Sequence, residues 1–344
     1  LLQYTGGTTG KSKAAILTHK NLLSNVQQVS NWIEPHIKPG EEIIITALPL
    51  FHIFSFTVNC LTFLKIGAEN VLIANPRDLK SFLKVLKKKK FTVMTAVNTL
   101  FNLLLTSKKF KELDFSSFKF SVGGGMAVMS ETAKNWKKIT GTNITQGYGL
   151  TETSPVVSIN KIDSLYNGSI GLPVQSTNIK IIDENGEKIN DKQPGELCVK
   201  GPQVMSGYWK YPEDQENPFT DDGFFKTGDI ASISEHGYLT IVDRKKDMII
   251  SSGYNVFPNE IEDYLSTHPD ILEAGVIGIP DKNRGEYIKA FIVKKNKNLI
   301  DTEVITYCKE GLTDYKVPKK VIFIDDLPKT NVGKILRREL RNIN

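Results

Sequence analysis

Leu1-Leu2-Gln3-Tyr4-Thr5-Gly6-Gly7-Thr8-Thr9-Gly10-Lys11-Ser12-Lys13 opens the chain. An apolar entry of strand character runs into a loop of glycines and threonines that carries two lysines. Glycine lets the backbone turn tightly and approach a ligand closely. Consecutive N–H groups, hydroxyls and ammonium groups then offer a dense set of donors to phosphate oxygens. A plain polar turn has no need of so many donors directly after an apolar entry. The sharper alternative is the G-x-x-x-x-G-K-[ST] loop of P-loop NTPases. Gly10-Lys11-Ser12 fits its end, but the opening glycine would fall on Thr5, so the spacing fails by one residue. The segment is therefore read as a phosphate loop of another kind.

Outward from that loop, strand-like runs alternate with helix-like ones. Glu42–Leu50, Asn70–Ala74, Phe91–Val97 and Lys119–Gly123 are short and apolar or β-branched, and Asp78–Lys89 and Ser130–Ile139 have helical character. Such alternation predicts a mostly parallel sheet with helices on its faces. Ligands in these sheets sit at the carboxyl ends of strands. Gly123-Gly124-Gly125 and Gly147-Tyr148-Gly149 both follow apolar runs at such places. From about Asn178 the pattern becomes β-rich, with strand-like Ile179–Asp183, Glu196–Lys200 and Gly237–Val242 split by Asn185-Gly186 and Pro194-Gly195. Past Arg244 it turns α/β again. Pro258-Asn259-Glu260 starts a helix with Ile261, Tyr264 and Leu265 on one face, and Val276–Ile279 and Lys289–Val293 read as strands of a small separate domain. The expected domains are 1–245 and 246–344.

The formal net charge is +6, with Lys87-Lys88-Lys89-Lys90 as the densest basic run. A solvated helix end accounts for that run; contact with acidic lipid headgroups is the alternative. No arginine–aromatic patterning favours a nucleic-acid partner. Cys60, Cys198 and Cys308 are far apart and form no C-x-x-C, which argues against a disulfide framework or a zinc site and for a reducing, cytoplasmic setting. No apolar run reaches the ~18 residues that span a bilayer. Ile53 to Leu64 comes nearest but is interrupted by Ser55, Thr57, Asn59 and Thr62.

The opening loop resembles the signature Y-T-S-G-T-T-G-x-P-K of the adenylate-forming (AMP-binding) superfamily. Gly6 stands where many members have Ser, Ser12 where many have Pro, and Ala14 where Gly often follows. Four more of the family's motifs follow in order. They are Gly147-Tyr148-Gly149-Leu150-Thr151-Glu152, Lys226-Thr227-Gly228-Asp229, Asp243-Arg244-Lys245-Lys246-Asp247 running on to Ser252-Gly253-Tyr254-Asn255, and Pro328-Lys329-Thr330-Asn331-Val332-Gly333-Lys334. The resemblance covers the whole chain. It implies a multidomain adenylate-forming fold: an α/β subdomain, a β-rich subdomain and a small C-terminal α+β domain. Members carry a substantial region ahead of this loop, and this chain has no initiating Met, so it is expected to be N-terminally truncated.

The implied reaction has two steps, with ATP, Mg²⁺ and coenzyme A taking part. A carboxylate attacks the α-phosphate of ATP, and a thiol then displaces AMP from the acyl-adenylate. The first step needs charge neutralisation and alignment rather than a protein nucleophile. By the resemblance, Thr5, Gly6, Gly7, Thr8, Thr9, Gly10 and Lys13 embrace the β- and γ-phosphates. Thr151 touches phosphate and Glu152 holds Mg²⁺. Tyr148 packs on adenine, and Gly123, Gly124 and Gly125 line the adenine and acyl-carbonyl region. Asp229 and Arg244 take the ribose hydroxyls. Lys334 bridges the substrate carboxylate and the α-phosphate; a solvated lysine in a basic tail with Arg337, Arg338 and Arg341 is the alternative. Lys246 is the hinge about which the small domain rotates, exchanging Lys334 for a loop in which Gly253 and Tyr254 wall the pantetheine tunnel. His52 positions the carboxylate or gates the acyl channel, or is a satisfied structural histidine. Phe54, Phe56, Val58 and Leu61 line an apolar tunnel or belong to the core.

Continuous blocks at Ala47–Leu61, Asn75–Asp78, Gly123–Met126, Gly195–Trp209 and Asp243–Asp263 look most like bacterial long-chain fatty-acid–CoA ligases. That likeness implies fatty-acid activation, and it brings expectations of peripheral contact with the inner face of a membrane and of a homodimer. Adenylation of a medium-chain or aryl acid is the alternative within the family. An inactive nucleotide-binding fragment is the alternative outside catalysis.

Overall fold

The computed structural model describes residues 1–5, 12–189, 193–211, 216–281, 285–330 and 335–343. The chain divides into two compact units. Unit 1 comprises Leu1–Val128, Thr132–Thr227 and Ser232–Thr240; unit 2 comprises Met129–Glu131, Gly228–Ala231 and Ile241–Asn344.

Among the described residues, unit 1 contains a seven-stranded sheet. Its strands lie in the order Glu69–Leu72, Ile43–Thr46, Val93–Ala96, Phe120–Gly123, Ile144–Gly149, Val156–Ile159 and Leu172–Pro173. The first five run parallel, as the alternating sequence predicts, and the last two join antiparallel. All four residues of Val93–Ala96 and of Phe120–Gly123 are buried, the run pattern of strands covered on both faces. Helices Leu79–Lys88 and Ser130–Thr140 fall where they were expected. Trp136 is fully buried and its ring lies 4.7 Å from Phe101 and 5.3 Å from Phe110. The β-rich stretch forms a sheet ordered Asn178–Ile182, Gly195–Lys200, Phe225–Ile233, Leu239–Arg244, the first two strands pairing antiparallel.

Helix His19–Ile33 ties unit 1 together through amides as well as through Val29 and Ile33, which join the main core. Thr18 caps it reciprocally with Asn21. Asn21 Nδ2 donates to the Pro202 and Val204 carbonyls, Asn25 pairs with the Val156 N–H and C=O, and Gln28 donates to the Gln175 carbonyl. These backbone groups lie in loops or at strand ends, and buried polar groups must find partners.

The Ile53–Leu64 run contains a π-helix, Ser55–Thr62. The polar residues that break its hydropathy are buried and stitched in. Ser55 donates to the Leu48 carbonyl and Thr62 to the Thr57 carbonyl, while Asn59 links Thr46 and Thr95. Phe54 and Val58 are buried in the main core cluster. Among the described residues no helix is long and apolar enough to cross a membrane.

Unit 2 contains a five-stranded sheet among the described residues. It is built on the long antiparallel pair Ile271–Asp281 and Gly285–Lys294, with Lys320–Phe323 parallel to the latter. Helices Pro258–Ser266 and Asp301–Gly311 contribute Ile261, Leu265, Val304 and Cys308 to its core. Arg337, in the basic stretch near the end of the chain, is half-buried among acids. Its guanidinium donates to both oxygens of Glu262, at 3.2 and 2.8 Å, and to Asn259 Oδ1 at 2.7 Å. It also lies 3.7 Å from Asp243 and 3.5 Å from Asp247. The fold brings these carboxylates to the arginine from two segments, the 243–247 stretch and helix Pro258–Ser266.

Candidate active site

In unit 1 the glycine loops at the strand ends are dictated by close approach. A Cβ on Gly124 would meet the Phe54 ring at 3.2 Å and the Gly147 carbonyl at 3.5 Å, so the 123–125 and 147–149 loops touch. A Cβ on Gly149 would fall 2.1 Å from the Pro155 carbonyl oxygen. Gly125 has φ +78°, a conformation that favours glycine. Tyr148 is half-buried beside them, at an irregularity in the pairing with Val156–Ile159. His52 Nδ1 accepts the Phe54 N–H at 3.3 Å, so the imidazole fixes the backbone that carries Phe54.

Beyond Gly149 the chain makes a 3₁₀ turn, Thr151–Thr153, which carries Glu152. Glu152 is 9% exposed, and its Oε1 accepts the Tyr208 hydroxyl at 2.6 Å. Burial and the neighbouring Glu152 carboxylate push the Tyr208 phenol well above its ordinary range, which keeps it a donor. The Met205 N–H donates to the Glu152 carbonyl at 2.7 Å. Tyr208 stacks on Tyr211 with centroids 5.2 Å apart. The Lys13 ammonium lies 5.2 and 4.9 Å from those two ring centroids and 3.4 Å from the Tyr211 hydroxyl. The site thus holds a buried carboxylate and a cation side by side on an aromatic pair. Its donor set suits a hard cation that brings phosphate oxygens as its other ligands.

Thr5 is described, and its N–H donates to the Lys13 carbonyl at 2.8 Å across the mouth of the loop. Gly6, Gly7, Thr8, Thr9, Gly10 and Lys334 lie outside the described residues. In unit 2, buried Asp229 faces the Arg244 Nε at 3.2 Å. Lys246 is exposed. Gly253 and Tyr254 belong to a tight hairpin between Ile249–Ser251 and Tyr254–Val256, whose turn residues Ser252 and Gly253 have φ 54° and 80°. Tyr254 stacks on Tyr315 at 4.5 Å. Burial pushes the Cys198 thiol up to about 12 and the Cys308 thiol to about 11. Neither offers a thiolate near neutral pH.

The sequence reading assigns no role to Tyr208 or Tyr211 and gives Arg337 only as part of a basic tail. The signal for Tyr208 was the near-continuous block Gly195–Trp209, whose aromatic residues had been assigned no chemistry.

Profile comparison matches residues 1–209 to the AMP-binding enzyme family and residues 260–334 to the AMP-binding enzyme C-terminal domain. The long-chain-fatty-acid–CoA ligase of Escherichia coli is 54% identical over 342 residues, which is 99% of this chain and 61% of that relative. The chain thus spans about three-fifths of the length of the curated relatives it matches. Among solved structures, ATP-bound MatB from Rhodopseudomonas palustris has a TM-score of 0.90 at 32% identity, covering 99% of this chain and 67% of that one. The o-succinylbenzoate CoA synthetase of Bacillus subtilis, in complex with ATP and a magnesium ion, has a TM-score of 0.84 at 32% identity, covering 99% and 69%. The ordered motifs, the parallel sheet with glycine loops at its strand ends and these matches agree: the chain belongs to the AMP-binding enzyme family.

Proposed function

We propose that the protein carrying this chain activates a long-chain fatty acid with ATP and ligates it to coenzyme A through an acyl-adenylate. The observation that carries the substrate class is the 54% identity, sustained over 99% of the chain, to a relative named for that reaction. Proposed partners are the fatty acid, ATP and CoA; peripheral membrane contact and a homodimer belong to the same reading. We assign residues 1–245 to adenylation and 246–344 to a C-terminal mobile domain.

In this reading Thr5 to Lys13 and Thr151 bind the β- and γ-phosphates, and Glu152 holds Mg²⁺. The ion, when bound, neutralises phosphate charge as a Lewis acid. Gly124, Gly125 and Tyr148 receive the adenine, and Asp229 and Arg244 the ribose. Asp229 faces the Arg244 guanidinium, and a carboxylate suits a pair of hydroxyls because it offers acceptor lone pairs. His52 fixes the backbone of Phe54, which packs against Gly124, and so orients the wall beside the acyl carbonyl. Lys334 steadies the attacking carboxylate and the α-phosphate, Lys246 serves as the pivot, and Gly253 and Tyr254 guide the pantetheine. The attacking thiol comes from CoA, consistent with the suppressed thiolates of Cys198 and Cys308.

The test is AMP formation from ATP, Mg²⁺, CoA and a series of carboxylates from acetate to oleate, with the full-length protein and its Lys334→Ala variant. Turnover with long chains that falls at least about a hundredfold in the variant is expected. Turnover confined to short or aryl acids would move the assignment to another branch of the family.

A further inference from the structure

We propose that Tyr208 and Tyr211 form a spacer that keeps Glu152 and Lys13 from neutralising each other and holds both ready for a metal–phosphate ligand. Tyr208 thereby acts as a positioning residue for Glu152. The inference rests on the nucleotide-binding reading above and deepens it.

Backbone pairing fixes where the tyrosines stand. Segment 206–209 runs beside strand Ala14–Ile16. The Ile16 N–H donates to the Gly207 carbonyl at 2.9 Å, the Ser206 N–H to the Ile16 carbonyl at 3.1 Å and the Trp209 N–H to the Ala14 carbonyl at 2.8 Å. Ala15 stands opposite Tyr208. That register sets Tyr208 two residues along from Lys13, at the end of the phosphate loop. Lys210 then takes a left-handed conformation, φ 50°, and the chain turns so that Tyr211 stacks back on Tyr208.

The chemistry follows from the kind of partner. A phenol is a neutral donor, so it fixes Glu152 Oε1 without cancelling the carboxylate's charge. Among the described residues Oε2 accepts no hydrogen bond. The Lys13 ammonium lies 5.2 and 4.9 Å from the two ring centroids, donates to the Tyr211 hydroxyl at 3.4 Å, and makes no ion pair among the described residues. A cation held over aromatic faces keeps its charge available to a nearby anion. A glutamate paired with a lysine is a poor ligand for a hard cation, and here the carboxylate meets the Tyr208 hydroxyl while the ammonium meets the two rings. Hydrogen-bonded partners of metal-binding carboxylates are commonly worth 10–100-fold in metal affinity.

The test is Mn²⁺ binding followed by electron paramagnetic resonance, at fixed ATP, on the full chain. Wild type, Tyr208→Phe, Glu152→Gln and the double variant are compared. Tyr208→Phe should raise the half-saturating Mn²⁺ concentration roughly tenfold, and should add nothing in the Glu152→Gln background. An equal shift in both backgrounds, or no shift in either, overturns the proposal. Wild type without ATP-dependent Mn²⁺ binding overturns the nucleotide-binding reading itself, and this inference with it. Should Tyr208→Phe unfold by circular dichroism, Tyr211→Leu carries the test, because it strips one face of the lysine platform and leaves the Glu152 bond. It should weaken metal-free ATP binding at least threefold, on the order of one cation–π contact, while the Mn²⁺ midpoint at saturating ATP stays put. The reverse pattern refutes the spacer.

Discussion

Buried carboxylates in the two units are treated in opposite ways. In unit 2, Glu262 and Asp243 are closed off. Arg337 grips both oxygens of Glu262, the Val276 N–H adds a further bond to it, and the Asn259 and Arg244 N–H groups take the two oxygens of Asp243. Burial, with neighbouring acids adding to it, drives both carboxyls upward, Arg337 opposes it, and the surrounding acids hold the guanidinium above its ordinary value. In unit 1, among the described residues, the Glu152 side chain has one neutral partner and keeps an oxygen uncommitted. The comparison teaches that burial of an acid does not mark a functional site. What its oxygens are already bonded to decides whether it can hold anything else.

The largest break of that comparison is Arg337→Met. It strands buried carboxylates and should cost about 3–5 kcal/mol. Hydrogen exchange in Ile271–Asp281 and Gly285–Lys294 should report the loss. Protection there equal to wild type would mean that the cluster is solvated in solution.

Glu152→Gln should do the converse. The amide oxygen still accepts from Tyr208, so ligand-free stability should change by no more than about 1 kcal/mol, while the rise in melting temperature with MgATP is lost. A large loss of ligand-free stability would make Glu152 structural, like Glu262.

The smallest effect comes from a third kind of buried acid. Glu42 is buried, which by itself raises its carboxyl, but the Lys119 ammonium and the Lys38 N–H outweigh this and hold it below its ordinary 4.5. A folded value below the unfolded one means that the unfolded chain binds protons more readily. Its contribution is therefore complete above 4.5 and disappears as pH falls through the lowered value. Urea unfolding between about pH 6 and about pH 3 should show a shallower fall for Glu42→Gln than for wild type. Parallel curves would remove Glu42 from the acid response.

The strand–helix alternation of unit 1 was legible because a buried parallel strand writes a short apolar run and an amphipathic helix writes its own period. The glycine loops were legible because no other residue fits: Gly149 leaves 2.1 Å to a carbonyl oxygen. The two compact units were not readable residue by residue. Met129–Glu131 and Gly228–Ala231 group with unit 2 although they lie far from Ile241–Asn344 along the chain.

By itself, then, the sequence determined the family, the order of its motifs and the residue types a nucleotide site needs, since those depend on local spacing and on side-chain chemistry. Only the tertiary structure decided which charges meet. Tyr208 reaches Glu152 across 56 residues and Arg337 reaches Glu262 across 75. A hydrogen bond depends on distance and angle in space, and no local pattern in the chain records those.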